Sequence, residues 1–323
     1  MAGLALAAVF FYLFIPGLGA FFVRSHWRSF RKAVIAASSY PEITYRDLRA
    51  RGCGAEESHG QYHFLGVLEA IQEDDVIWLR SEGVSLSADM KGQRVFLLPS
   101  QTVSGGGGDD VSFLSDETPR VVAWEKVRSL PEGIQVLLSG TLYISRGKGR
   151  FRSGKRGDLL ALFYDGDNAS LLNRAVWHGR QRNEYWNLFT GASLGAGFLA
   201  GMILSYFFLS PPINRMPAIL SIIMSLVPLI PVLPPGLVFY VVYRRLWRKG
   251  RFMRAQRDIL NLSRRSFVAG GSSGGESSPE DAAWAAKCEK QAISYEILSL
   301  AMFSLGFLGN LYLVLRGLVV VIQ

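Results

Sequence analysis

Cys53, Glu56, Glu57, His59 and His63 place five potential metal ligands within eleven residues. Zinc takes thiolate and imidazole ligands, and two histidines four apart can share one ion. The spacing matches no common structural zinc motif, Ser58-His59-Gly60 reads as a loop, and His63 opens a strand-like run. Cys53, His59 and His63 are therefore the candidate ligands, with unrelated polar residues as the plainer reading. Gly149 to Lys155, GRFRSGK, has the glycine and lysine spacing of a phosphate-binding loop, and Leu159 to Asp165 resembles the apolar strand ending in Asp that often accompanies one. Mechanism argues against it: Arg156 stands where a hydroxyl should hold magnesium, and a strand follows where a helix N-terminus should meet phosphate. Asp165 and Asp167 flank Gly166 as an acidic pair, which a turn followed by a helix cap explains. The four histidines, His26, His59, His63 and His178, have no recognisable nucleophile beside them. No catalytic set and no cofactor is expected, and enzymatic activity has no support in the residues.

Basic residues offer a second kind of chemistry. Arg146 to Arg156 holds six of them among glycines and Phe151. Such a hairpin tip can touch anionic headgroups or phosphates, although a solvated turn is the plainer reading. The net charge of +9 is concentrated elsewhere, because Arg244 to Arg265 carries nine Lys/Arg against one acid. The rest of the chain is close to balance, which disfavours nucleic acid as a partner. Arg244, Arg245, Arg248, Lys249, Arg251, Arg254 and Arg257 share a helical stretch with Leu246, Met253 and Leu260 spaced seven apart. That make-up suits a helix against anionic lipid headgroups, or a plain topology anchor. The two cysteines, Cys53 and Cys288, are too distant in sequence to suggest a disulfide and fit a reducing compartment.

The elements that position these residues begin with four apolar blocks. Residues 2–23 carry no charge and are long enough to cross the hydrocarbon core, with Arg24, Arg28, Arg31 and Lys32 following. No Lys or Arg precedes them, so an uncleaved anchor with its N-terminus outside is expected. Further spans are expected at about 188–210, 217–243 and 294–315, and their basic flanks agree on one inner side. Gly191, Gly195, Gly197 and Gly201 form two GxxxG spacings for helix packing. The third span contains Pro217, Pro228, Pro231, Pro234, Pro235 and Gly236, which should kink or interrupt it. Interrupted helices line sites in transporters, yet the first three spans carry no deep ionisable residue and the fourth offers only Asn310.

Between the first two spans, strands are expected at Tyr62 to Ile71, Val76 to Arg80, Arg94 to Leu98, Val121 to Trp124, Ile134 to Ile144 and Leu159 to Tyr164. They suggest a small barrel or sandwich. The glycine-rich stretch Ser104 to Asp110 separates its halves, and a helix capped by Asp167 or Asn168 should run on toward the second span. The fold class is membrane α-helical, with about four transmembrane helices, plus a small all-β cytoplasmic domain. Its parts are 1–39 (first span and basic juxtamembrane helix), 40–187 (β-rich domain ending in a helix), 188–243 (second and third spans), 244–278 (basic arm and Gly/Ser linker) and 279–323 (long final helix with the fourth span).

The segments LFYDG (Leu162 to Gly166) and GRQRNEYWN (Gly179 to Asn187) resemble parts of an uncharacterised family of bacterial, spirochaetal, multi-pass membrane proteins. The resemblance covers about a tenth of the chain and implies no activity. In architecture alone the chain is similar to NfeD-type proteins, which attach a small β-barrel to a few spans. The expectation is a scaffold or interaction protein in the cytoplasmic membrane, with both termini outside and its β domain inside. Its partners would be anionic lipid and a protein or a second copy of the chain. The alternatives are a transporter or lipid-handling protein using the proline-interrupted span, and a membrane-tethered enzyme.

Overall fold

A computed structural model describes residues 2–52, 58–72, 75–100, 117–127, 130, 133–145, 148–152, 159–209, 215–269 and 279–322. The chain divides into two compact units. One comprises Met1–His26, Asn183–Arg254 and Ala286–Gln323; the other comprises Trp27–Arg182 and Ala255–Ala285.

The first unit is helical. Helix α1 (Ala2–Val9) continues through a π turn (Phe10–Phe14) into α2 (Ile15–Ala37); α5 (Leu188–Leu209) and α8 (Pro279–Ile322) are the other long apolar helices. These three are long and apolar enough to cross a membrane. Their large side chains are largely uncovered by protein: Leu6, Leu13, Phe21, Leu199, Ile203, Phe207 and Leu305 are all exposed. The expected third span, 217–243, is two helices here. Helix α6 (Arg215–Leu226) stops, a 3₁₀ turn covers Ile230–Val232, and α7 (Gly236–Ala269) starts afresh. Four prolines between residues 228 and 235 explain the break, since each removes a backbone donor and blocks the preceding turn. At 1.5 Å per residue α6 is ~18 Å long, shorter than a hydrocarbon core of ~30 Å.

Small residues let these helices close on one another. A side chain at Gly201 would start 2.6 Å from the Ser225 amide nitrogen, so α5 and α6 touch backbone to backbone. Gly197 lies under the Tyr12 ring, whose hydroxyl donates to Met224 O at 2.7 Å. The Ser193 hydroxyl donates to Phe11 O inside the π turn. Gly191 and Gly195 face open space. Only half of the expected glycine motif therefore packs in this chain.

In the second unit the last turns of α2 carry buried Trp27, Phe30, Val34 and Ala37, the three- and four-residue spacing of one helical face. Phe30 lies 4.4 Å from Phe96, ring to ring, and the Arg31 guanidinium donates to Gly179 O at 2.9 Å. A short helix α3 (Tyr45–Gly52) leads into eight strands: β1 (Ser58–Gln72), β2 (Val76–Ser81), β3 (Val84–Asp89), β4 (Arg94–Leu97), β5 (Arg120–Ala123), β6 (Gln135–Ser145), β7 (Lys148–Phe151) and β8 (Leu160–Tyr164). Their order is β1-β2-β3-β7-β6-β8-β4-β5, with β6 also paired to β1. The first five therefore close into a barrel. All ladders are antiparallel except β3–β7 and β4–β8. The interior is filled at alternate positions, by Tyr62, Phe64 and Leu68 of β1, Ile77 and Leu79 of β2, Leu86 and Ala88 of β3, Leu138, Leu142 and Ile144 of β6, and Phe151 of β7.

Strand β6 makes the closure possible. One edge pairs with β1 from Gln135 to Ile144; the other pairs with β8 as far as Ser139, then with β7 from Leu142. Its run from Val136 to Gly140 is buried throughout, as a strand covered on both faces must be. Six expected strands are present within a few residues of their sequence positions, and β3 and β7 are additional. Helix α4 (Leu171–Gln181) starts after Asp167, whose carboxylate accepts the Ser170 amide at 3.2 Å. It ends at Gln181, so the expected helical run into the second span is interrupted before α5 at Leu188. The glycine-rich stretch 104–110 lies outside the described residues, as do 270–278 of the Gly/Ser linker.

Candidate functional site

Of the expected metal ligands, His63 alone has a described side chain. Cys53, Glu56 and Glu57 lie outside the described residues, and nothing is described of the His59 side chain. His63 has a different occupation: its Nδ1 lies 2.7 Å from Tyr40 O, and its backbone pairs with Pro41 and Ile43, a strap running along β1. Among the described residues no group of three metal-binding side chains forms. The phosphate-loop likeness also resolves into barrel parts. Gly149 sits in β7, where a Cβ would come 2.5 Å from Leu86 Cδ2, so it is a glycine for strand closure. Lys155 and Arg156 are outside the described residues. Asp165 turns toward Arg174 at 3.7 Å and Asp167 accepts the Ser170 amide in the turn before α4, whose N-cap is Ser170 and not the expected Asp167 or Asn168.

The basic arm divides along its length. Arg244, Arg245, Arg248 and Lys249 are exposed on α7. Further on, Arg254 pairs with Glu296, and Arg257 donates to Asp258 at 2.7 Å. Asp258 is 6 % exposed and also takes Arg180, whose Nε is 2.7 Å away. Arg254 and Arg257 were expected at the lipid surface, and each has an internal carboxylate instead. For Arg257 the reason is local, since Asp258 is the one acid inside the arm and burial draws cations to it; for Arg254 the carboxylate comes from α8 as Glu296.

Two arrangements remain that sequence reasoning did not assemble. The first lies in the helical unit. Asn310 of α8 is 1 % exposed, and its amide donates to Ile230 O at 2.6 Å and to Leu233 O at 2.7 Å, while its carbonyl accepts Gly236 N at 3.3 Å. One side chain thus ties both sides of the proline break. Asn310 was visible in sequence as the one deep polar group of its helix, but its partners lie more than seventy residues away.

The second is a groove of about 550 Å³ on the β unit. Strand β1 changes partners at Val67, which pairs with Arg80 of β2 on one side and Gln135 of β6 on the other; Gln135 in turn opposes Tyr164 of β8. Directly opposed residues point to the same face. Arg80, Val67, Gln135 and Tyr164 therefore form one row across four strands. Leu65 shares that face, and a β-bulge between Leu68 and Ala70 frees Glu69 from the ladder. The two-residue turn Glu82-Gly83, both with positive φ, sets Glu82 at the rim.

Helix α4 fixes the far wall of this groove. Arg174, with 3 % of its side chain exposed, donates to Asp165 O at 2.6 Å and Pro99 O at 2.9 Å, holding the chain that leaves β8. Tyr164 donates its hydroxyl to Asn168 Oδ1 at 2.7 Å. Burial pushes its phenol up to about 12, so it stays protonated and keeps that bond across the ordinary pH range. One turn further along α4, burial lowers the pKa of His178, which remains neutral with Nδ1–H donating to Glu117 O at 2.8 Å. The groove residues escaped sequence reading because strand register, unlike strand location, has no local signature; Tyr164 alone fell inside a segment noted for resemblance. No protein-family model matches the chain, and neither a curated protein nor a solved structure does.

Proposed function

We propose that this is a multi-pass membrane protein that holds its β-barrel unit at the cytoplasmic face of the membrane as a docking platform for a partner. The observation that carries the reading is how the barrel is inserted in the chain. It lies between two apolar helices, and the first of them, α2, runs without a break from apolar residues into the Trp27, Phe30 and Val34 face that belongs to the β unit. A domain tied to membrane helices on both sides is confined to a thin layer, which raises its effective concentration toward anything else at that surface. Basic flanks beside each apolar block support the inner side as its location.

A transporter is the less economical reading. The broken segment between α6 and α7 would attract a solute through free backbone groups, but Asn310 already engages Ile230 O, Leu233 O and Gly236 N. Tyr12, Ser193, Ser205, Ser221 and Ser225 of these helices each donate to a backbone carbonyl. Photo-crosslinking from the barrel in native membranes, followed by mass spectrometry, tests the platform. A reproducible crosslinked partner, with a reporter fused after Gly108 read as cytoplasmic, is the expected result. A reporter on the outer side, or crosslinks to lipid alone, would overturn it.

A further inference from the structure

We infer that the groove across β2, β1, β6 and β8 receives an arginine side chain from an extended segment of the docking partner; this rests on the platform reading and names the chemistry of its contact. The argument is an inventory of donors and acceptors. Gln135 borders the groove, and its Oε1 is sealed from solvent with no hydrogen-bond partner. Its terminal amide torsion is soft, so a small rotation turns this acceptor into the adjoining space. The Tyr164 hydroxyl uses its proton on Asn168, which leaves its oxygen lone pairs as acceptors. Glu82 and Glu69 add two carboxylates at the rim.

Donors are present too. Arg80 lies at the rim with 67 % of its side chain exposed, 3.9 Å from Glu69, and it offsets that carboxylate. Glu82 has no ion-pair partner among the described residues and leaves the groove with a net negative charge. The Asn168 and Gln135 amides and the Ser81 hydroxyl complete the donors. A weakly anionic slot with the unpartnered Gln135 Oε1 and Glu82 carboxylate, and with Leu65 and Val67 along its floor, complements a donor-rich cation on an apolar stem. Among natural side chains arginine fits best: its planar fork offers five N–H donors, enough for Glu82, Gln135 and Tyr164 together, and its three methylenes cover the valine and leucine. An ammonium group has three donors around a point and cannot span the row.

The test uses the full chain in zwitterionic lipid nanodiscs, titrated by fluorescence anisotropy with a labelled nine-residue peptide whose one charge is a central Arg, and with the same peptide carrying citrulline or Lys in its place. Saturable binding is expected for the Arg peptide, at least tenfold tighter than for citrulline and several-fold tighter than for Lys. Glu82→Gln and Gln135→Leu should each weaken it about tenfold. Glu82 is in an exposed turn, so Glu82→Gln remains informative if Gln135→Leu disturbs the strand. Equal affinity for Arg and citrulline, an unchanged affinity in Glu82→Gln, or binding of free spermidine without binding of the peptide would each overturn the assignment. If the peptide fails while membrane crosslinks persist, the platform stands and docks elsewhere; if the peptide binds and no crosslinked partner exists, the platform reading fails and the groove stands.

Discussion

Replacing Asn310 by Ala should detach the two ends of the broken α6–α7 segment, and the size of the effect follows from its three bonds. In membrane bundles a side-chain hydrogen bond contributes ~0.6 kcal/mol on average and up to ~1.7, so three of them come to ~2 kcal/mol with a ceiling near 5. The two carbonyls each keep a backbone donor, Leu233 N on Ile230 and Leu237 N on Leu233, whereas Gly236 N loses its described partner; the lower figure is the expected one. Gly236→Ala approaches the same junction from the other side. Its Cβ would fall on the Asn310 amide group, with the nearest atom of another residue, Pro231 O, at 3.3 Å. Forced overpacking of this kind costs ~1–3 kcal/mol. In the Asn310→Ala background the clash is gone, and Ala in place of Gly then gains up to ~1 kcal/mol of helix propensity. The double mutant should therefore be more stable than additivity allows, by ~2 kcal/mol. Equilibrium unfolding in mixed detergent–SDS micelles, followed by tryptophan fluorescence, measures all four corners. A double mutant additive within ~0.5 kcal/mol, or Asn310→Ala costing less than that, would refute the tie across the break.

Three further outcomes are expected. Gly201→Leu must push α5 off the Ser225 backbone and should cost ~2 kcal/mol or more, whereas Gly191→Leu, facing open space, should stay within ~0.5 kcal/mol by the same unfolding assay. Arg174→Met leaves Asp165 O and Pro99 O without their charged donor inside the fold and should lose ~3 kcal/mol, read as a fall in the thermal midpoint of the β unit's unfolding step. Acid should destabilise the β unit through His178: its native pKa lies below the ordinary 6.5, so the unfolded chain binds a proton first. The neutral-histidine contribution is complete above pH 6.5 and is lost as pH falls from there toward the depressed native value. His178→Gln, which can keep the bond to Glu117 O, should flatten the urea-midpoint slope between pH 6.5 and 5; an unchanged slope would clear His178 of that role.

The barrel was legible as strands and illegible as a barrel. Runs such as YHFLGVLEAI and LALFY carry β-branched and aromatic residues in dense patches, and these mark β1 and β8 without help from the rest of the chain. Strand β3, VSLSAD, has Val84 alone of that kind, and its membership follows from the Glu82-Gly83 turn that folds it onto β2. Strand β7, KGRF, looks like a charged hairpin tip until Gly149 and Phe151 are seen facing Leu86 and Leu142. Closure of β6 onto β1 joins residues some eighty positions apart, and loop entropy gives no hint of which distant strands will meet. The groove inherits that limit, because its row exists only once Val67 has both Arg80 and Gln135 beside it.

The helical unit shows the opposite relation, in which sequence marked the residues and structure supplied their reason. Pro228, Pro231, Pro234 and Pro235 announce a break, and a break in an apolar setting exposes carbonyls and amides that hydrocarbon cannot satisfy. A chain with this sequence therefore needs a polar side chain near the break, and Asn310 meets it by both donating and accepting there. The same logic accounts for Ser193 and Tyr12, which meet the carbonyls of Phe11 and Met224 where the π turn and the end of α6 depart from regular helix. Polar groups that would suggest a passage are matched to local irregularities of the backbone. The break and its polar neighbours thus behave as one packing unit, whereas the barrel's groove is lined by Gln135, whose Oε1 still lacks a hydrogen-bond partner.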